Sequence, residues 1–131
     1  VRVPFYKRAQ LAAADLSLAF GGRELGRFDD LQNLTIFADN LVPHVLRVDH
    51  ILVYPEALIQ HIKAGKLIPA GSAEEIEIRA CALHAVEFLK DALNASGHAI
   101  SSMELDFLLW NSGQQPAYKS IPRHRTRTIF Y

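Results

Sequence analysis

The sequence predicts an all-α fold, one compact helical domain over residues 1–131. Three observations predict it. Every segment long enough to judge carries apolar residues at helical spacing, and no stretch alternates as a half-buried strand requires. Start and stop residues fall between those segments. A chain of 131 residues holds one hydrophobic core but not two, and no repeat, low-complexity tract or linker divides it.

The first helix is expected to begin near Pro4, since proline suits a first turn, and to stop before Gly21-Gly22. Lys7, Leu11, Ala14, Asp15 and Leu18 then share one face that mixes apolar and charged groups. Gly21 to Gly26 reads as a flexible connector. Asp29 and Asp30 are expected to cap a short helix through Leu34. A further helix is expected over Ile36–Val42, with Pro43 either kinking it or starting the next, past Leu46.

Tyr54-Pro55-Glu56 opens a helix through Lys63, closed at Ala64-Gly65-Lys66. Ser72 with Glu75 three residues on reads as a capping box for a long helix from Ala73 to about Ala95. Its stripe is Ile78, Ala82, Ala85, Val86, Leu89 and Leu93, and Ile76 and Leu83 break the polar side as in a central, doubly covered helix. After Gly97, Ser101 or Ser102 caps a short apolar helix over Met103–Trp110 that carries Asp106. Arg123, Arg125 and Arg127 alternate like a strand in a tail that is either solvated or packed down by Ile129-Phe130-Tyr131.

Half of the residues are hydrophobic and 21% are charged, with 14 basic against 14 acidic side chains. That balance belongs to a globular protein. It argues against a nucleic-acid polymer as partner and for a nucleotide-sized one. Cys81 is the only cysteine, so no disulfide forms within the chain and no cysteine-based zinc site exists. A cytoplasmic location is the expectation, with no membrane partner, because no apolar run approaches a membrane span and Val1-Arg2-Val3-Pro4 lacks a signal's apolar core. Because the chain opens on Val1 and its one methionine is Met103, a segment upstream of it is also expected.

The sequence holds no Gly-rich phosphate loop, His-Glu-x-x-His or Gly-x-Ser-x-Gly motif. His44, Asp49 and His50 come nearest to a ligand cluster, but their spacing does not put two donors on one helical turn; neither metal nor cofactor is expected. What stands out is charge set among large apolar residues, in Pro4 to Gln10, Gly26 to Asp30 and Leu34 to Pro43. A charge so flanked is costly to bury unpaired, so such positions hold ion pairs or sites. Asp39 reads as an ion-paired or a catalytic carboxylate, and Lys7 as a snorkelling side chain or an anion holder. Asp29 and Asp30 read as caps or catalysts, and Asp106 as an arginine partner or a ligand contact. Glu77 and Arg79, two apart, point to separate partners.

Taken in order, Phe5-Tyr6-Lys7-Arg8-Ala9-Gln10, Ala14-Asp15, Phe37-Ala38-Asp39 with Val42-Pro43, Glu77-Ile78-Arg79-Ala80, Leu105-Asp106 with Leu109-Trp110, and His124-Arg125-Thr126-Arg127 with Phe130-Tyr131 resemble the queuosine salvage protein family. Each motif alone is weak; together, in this order from Pro4 to Tyr131, they are specific. The resemblance implies an N-glycosylase that releases queuine from queuosine 5'-phosphate for salvage into tRNA modification. It implies an all-helical fold similar to helix-hairpin-helix DNA glycosylases, no metal, and a longer chain whose N-terminal half helps to build the pocket. One departure is Asn40, where the family usually carries an aromatic.

By resemblance, Asp39 is the catalytic carboxylate, stabilising charge on the ribose and orienting water, and Lys7 shares its pocket. The implied substrate-binding residues are Asp106 for the base or its cyclopentenediol, then Asp30, Trp110 and His124, with the tail arginines Arg123, Arg125 and Arg127, or Arg8, for the 5'-phosphate. Two other readings stay open: a glycosylase for another nucleoside, and a non-catalytic helical interaction module in which Lys7, Asp15 and Asp39 form a buried ion network.

Overall fold

Six α-helices organise the computed structural model, which describes residues 3–131; Val1 and Arg2 lie outside them. They are α1 (Lys7–Ala19), α2 (Val42–Val48), α3 (Glu56–Lys63), α4 (Ala73–Ala95), α5 (Ser102–Ser112) and α6 (Pro116–Lys119). Two 3₁₀ turns, Glu24–Gly26 and Leu31–Asn33, lie between α1 and α2. The fold is all-α; among the described residues the sole β feature is a parallel bridge between Leu67 and Arg125.

Helices α2, α4 and α5 pack pairwise. Ile36, Ala38, Val42, Leu46, Ala82, Val86 and Leu105 meet between them as a buried cluster. On α4 the residues Ile78, Ala82 and Val86, one turn apart, are the buried line, flanked by Ala85, Leu89 and Leu93. Leu83 packs against the same core from the side, as the break in the polar face predicts. A second cluster of Tyr54, Ile62, Ile68 and Ile78 closes the space where α3 meets the start of α4.

Several element boundaries differ from those read in the sequence, each for a local reason. Helix α1 starts at Lys7 and not near Pro4, because Tyr6 adopts a left-handed conformation (φ 49°) that a right-handed helix cannot include. It ends as expected, with Gly21 at φ 60°. Its buried side is rotated from the predicted stripe: Ala14 is buried, while Asp15 and Leu18 are exposed. Neither Asp29 nor Asp30 caps a helix. Asp29 accepts from Arg27 Nε at 3.2 Å, and Asp30 precedes a 3₁₀ turn that ends at Asn33 without making a side-chain cap bond.

The largest difference is at Ile36–Leu41, which is not helical. Side chains claim the backbone groups a helix there would use: Asp106 Oδ2 accepts from Phe37 N–H at 2.8 Å, and Arg79 Nε donates to Ala38 C=O at 2.9 Å. Asp39 Oδ1 accepts from the N–H groups of Leu41 (2.8 Å) and Val42 (3.1 Å). Helix α2 therefore begins at Val42, and Pro43 sits in its first turn and starts it.

The Ser72 box is half made. Ser72 Oγ accepts from Glu75 N–H, but the Glu75 carboxylate turns to Gly71 N–H and Arg79. The reciprocal box is at Ser101 and Glu104, which caps α5.

Gly113, at the end of α5, lets that helix meet the start of α2: a Cβ there would lie 2.8 Å from Leu41 Cδ1 and 2.9 Å from Val45 Cγ2. Gly113→Ala is therefore expected to cost about 1–3 kcal/mol of unfolding free energy by overpacking, read by urea denaturation. Ser101→Ala is expected to cost about 1 kcal/mol in the same measurement, through loss of the cap.

Candidate active site

Asp39 lies within the buried non-helical segment, with only 8% of its surface exposed. Two backbone N–H groups fix Oδ1, so the carboxylate has one orientation, and Oδ2 lies 4.0 Å from Lys7 Nζ. Asp39 is among the residues that line a cavity of about 730 Å³, a size that suits a small-molecule ligand. Its lining includes Trp110 of α5 with Gly113 just after that helix, Lys63 and Gly65, and residues of the stretch from Tyr118 to Arg125. Lys63, Lys119, Arg123 and Arg125 bring four cationic side chains to the cavity around one buried anion.

The stretch from Tyr118 to Arg125 is held by α2. His44 Nε2 donates to Tyr118 C=O at 2.8 Å, Arg47 donates to Pro122 C=O at 2.7 Å, and the Tyr118 hydroxyl donates to Asp49 at 2.9 Å. His44 and Asp49, considered as metal ligands in the sequence, are thus tied to Tyr118. The tail packs down: Ile68 N–H donates to Arg125 C=O at 2.9 Å, and the Arg125 guanidinium donates to Gly65 C=O at 2.6 Å. Asn40 donates from Nδ2 to the His124 carbonyl at 3.5 Å.

Of the sequence-predicted site residues, Asp39, Trp110 and Arg125 line this one cavity. Lys7 approaches Asp39 from another side and lines two neighbouring cavities of about 490 and 530 Å³, as does Arg8, whose guanidinium donates to Ile129 C=O at 3.0 Å. Asp106 is buried, and its hydrogen-bond partner is the Phe37 N–H. His124 is 1% exposed, and neither ring nitrogen has a hydrogen-bond partner among the described residues. Asp30 is exposed and lies outside all of these cavities. Asp15, exposed, does not join Lys7 and Asp39 in a buried ion network.

Residues 1–131 match the model of the family described as queuosine salvage protein. The chain belongs to that family. It is 51% identical over 130 residues to the queuosine 5'-phosphate N-glycosylase/hydrolase of Sphaerobacter thermophilus, and 44% identical over 130 residues to that of Dictyostelium discoideum. It is 34% identical over 139 residues to that of Mus musculus. Each alignment takes in 99% of this chain and 40%, 40% and 41% of the respective relative. This member of the queuosine salvage family thus spans about 40% of the length of the curated relatives it matches.

Two parts of this family member's site escaped the reading from sequence. The cations at positions 63 and 119 end two separate helices, and no spacing signals their meeting. Arg79 has a partner separate from Glu77, as the two-residue spacing implies, but that partner, Glu75 at 3.0 Å, was not read although it lies four residues away on the same helix.

Asp106 and His124 titrate abnormally and in opposite senses. Burial, with a smaller push from Asp39, raises the Asp106 carboxyl to about 6, against the Phe37 hydrogen bond that lowers it. Burial lowers His124 to about 4. A raised carboxyl binds more protons folded than unfolded, so its contribution falls as pH rises from about 4 to 6; a lowered histidine gives a contribution that falls as pH drops from 6.5 towards 4. The two slopes oppose each other in that window. Asp106→Asn is therefore expected to steepen the rise of stability from pH 4 to 6 by on the order of 2–3 kcal/mol relative to the parent, in urea titrations at stepped pH. An unchanged profile would place the Asp106 carboxyl at its ordinary value.

Proposed function

We propose that this chain is the site-bearing part of an N-glycosylase that hydrolyses queuosine 5'-phosphate, the substrate named for its relatives. In this reading residues 1–131 are one helical domain, of the kind seen in helix-hairpin-helix glycosylases, and form the C-terminal part of the longer enzyme. The remaining length completes the pocket walls. The observation that carries the reading is Asp39: buried, locked by two backbone N–H groups, in the lining of a cavity of about 730 Å³, with Lys7 Nζ 4.0 Å away.

Breaking the bond between C1' and the base nitrogen builds positive charge on the ribose, and a fixed carboxylate in a partly desolvated cavity stabilises that charge. The bond electrons leave with the base. Water adds its oxygen to C1'; one of its protons remains on the new hydroxyl, and the other passes by way of Asp39 and ends on the base nitrogen. A 7-deazapurine offers carbon where guanine offers N7, so the leaving group cannot be protonated there. Stabilisation at the sugar then carries more of the barrier. Lys7 balances the charge of Asp39 or binds ribose oxygens.

The 5'-phosphate fits the cationic side of the cavity, where Arg125 stands with Lys63, Lys119 and Arg123. Trp110 offers an aromatic face to the base. Asp106 takes donors of the base or its cyclopentenediol with the oxygen that does not hold Phe37. Arg8, Asp30, Asp106 and His124 are not among the residues that line this cavity and belong, in this reading, to the part of the pocket that the longer chain completes.

The test uses two proteins: this chain, and the Sphaerobacter thermophilus relative with its matching stretch replaced by residues 1–131. Each is incubated with queuosine 5'-phosphate and free queuine is followed by chromatography. Release is expected from the chimera at least, and Asp39→Asn is expected to lower it by about 10²-fold or more. Full activity in that variant would remove Asp39 from its role, and no release from either parent protein would remove the activity.

A further inference from the structure

The motif Glu77-Ile78-Arg79-Ala80 has no part in the chemistry above, yet Arg79 makes more connections than any cation at the cavity mouth. It is 6% exposed. NH1 pairs with Glu75 Oε1 at 3.0 Å, and Nε donates to Ala38 C=O at 2.9 Å. The guanidinium lies between two rings, with its central carbon 4.1 Å from the Phe5 centroid and 4.5 Å from the Tyr131 centroid. Burial pushes the Tyr131 hydroxyl up to about 12, so that ring is neutral at physiological pH.

The placement of these partners in the chain is what matters. Ala38 directly precedes Asp39, and Phe5 stands two residues before Lys7. One rigid plane therefore holds both the segment that carries the carboxylate and the segment that carries the ammonium. Charge balance alone requires only Glu75; the stack and the bond to Ala38 add nothing to neutralisation but fix two segments against α4. A lysine has no planar fork and cannot bond Glu75 and Ala38 while lying flat between two rings.

We infer that Arg79 is a positioning residue for the Lys7–Asp39 pair, clamped by Phe5 and Tyr131, and that it sets the separation of the two site charges. Its kinetic consequence rests on the proposed hydrolase reading; its geometric consequence does not. Two readouts keep them apart. The first is acetylation of lysines by an N-hydroxysuccinimide ester under limiting reagent, read by mass spectrometry as Lys7 labelling relative to Lys63 and Lys119. The second is queuine release, resolved into kcat and KM, in whichever parent protein shows it.

Arg79→Lys, which keeps a cation beside Glu75, is expected to stay folded by circular dichroism and to raise Lys7 labelling several-fold over the two reference lysines. Tyr131→Leu, which opens one face of the clamp and leaves the Arg79 hydrogen bonds in place, is expected to raise it less. In an active parent, Arg79→Lys is expected to lower kcat by about 10²-fold, the scale of a displaced reacting group, with KM much less changed. An unchanged Lys7 ratio in the folded Arg79→Lys protein would overturn the inference, as would a rise shared equally by Lys63 and Lys119, which marks general loosening. Should no parent protein release queuine, the hydrolase reading falls while the labelling still decides the role of Arg79.

Discussion

The backbone of Ile36–Leu41 cannot be helical while its polar groups are in use elsewhere, and much of the structure follows from that. Asp106 takes one N–H, Arg79 takes one C=O, and Asp39 takes two more N–H groups with its own side chain. Each of those side chains is buried, where a polar group without a partner is expensive. The segment and its partners therefore hold one another in place. Asp39 gains a fixed orientation from this arrangement, and a carboxylate that need not reorganise is the kind that stabilises developing charge well.

Around that segment the helices divide the work. The long α4 supplies the apolar floor through Ile78, Ala82 and Val86 and, on the next face, the Glu75–Arg79 pair. The short α2 works mainly through hydrogen bonds: His44, Arg47 and Asp49 grip the stretch around Tyr118 and Pro122. That grip brings Lys119, Arg123 and Arg125 to the same cavity as Asp39. A net charge of zero over the chain thus conceals a local excess of cations at this cavity. Among the described residues no helix is long and apolar enough to cross a membrane.

Much of this was readable beforehand, and the failures have causes. The stripe of α4 and the stop at Gly21 were legible because both depend on neighbours in sequence. The expected helix over Ile36–Val42 failed because the competing partners, Asp106 and Arg79, lie 69 and 41 residues from the groups they bind. The Ser72 box failed for a related reason: Glu75 had a stronger partner in the buried Arg79 than in the Ser72 backbone. Asp39 and Lys7 stood out in the sequence as charges among apolar residues, and in the fold Oδ2 and Nζ lie 4.0 Å apart. That the two are neighbours was implied by the family resemblance and not by any spacing.

The sequence by itself determined the all-α class, the long central helix and the family, since apolar periodicity, capping residues and ordered motifs are local properties of the chain. Tertiary structure alone decided that Lys7 stands 4.0 Å from Asp39, that Arg79 touches Phe5, Tyr131 and the Ala38 carbonyl, and that Lys63 shares one cavity with the cations of the stretch from Tyr118 to Arg125. The physical reason is range. Helix formation is settled within about four residues by backbone hydrogen bonds and side-chain spacing, whereas a buried charge is settled by whichever distant group can satisfy it, and only the packed chain shows which group that is.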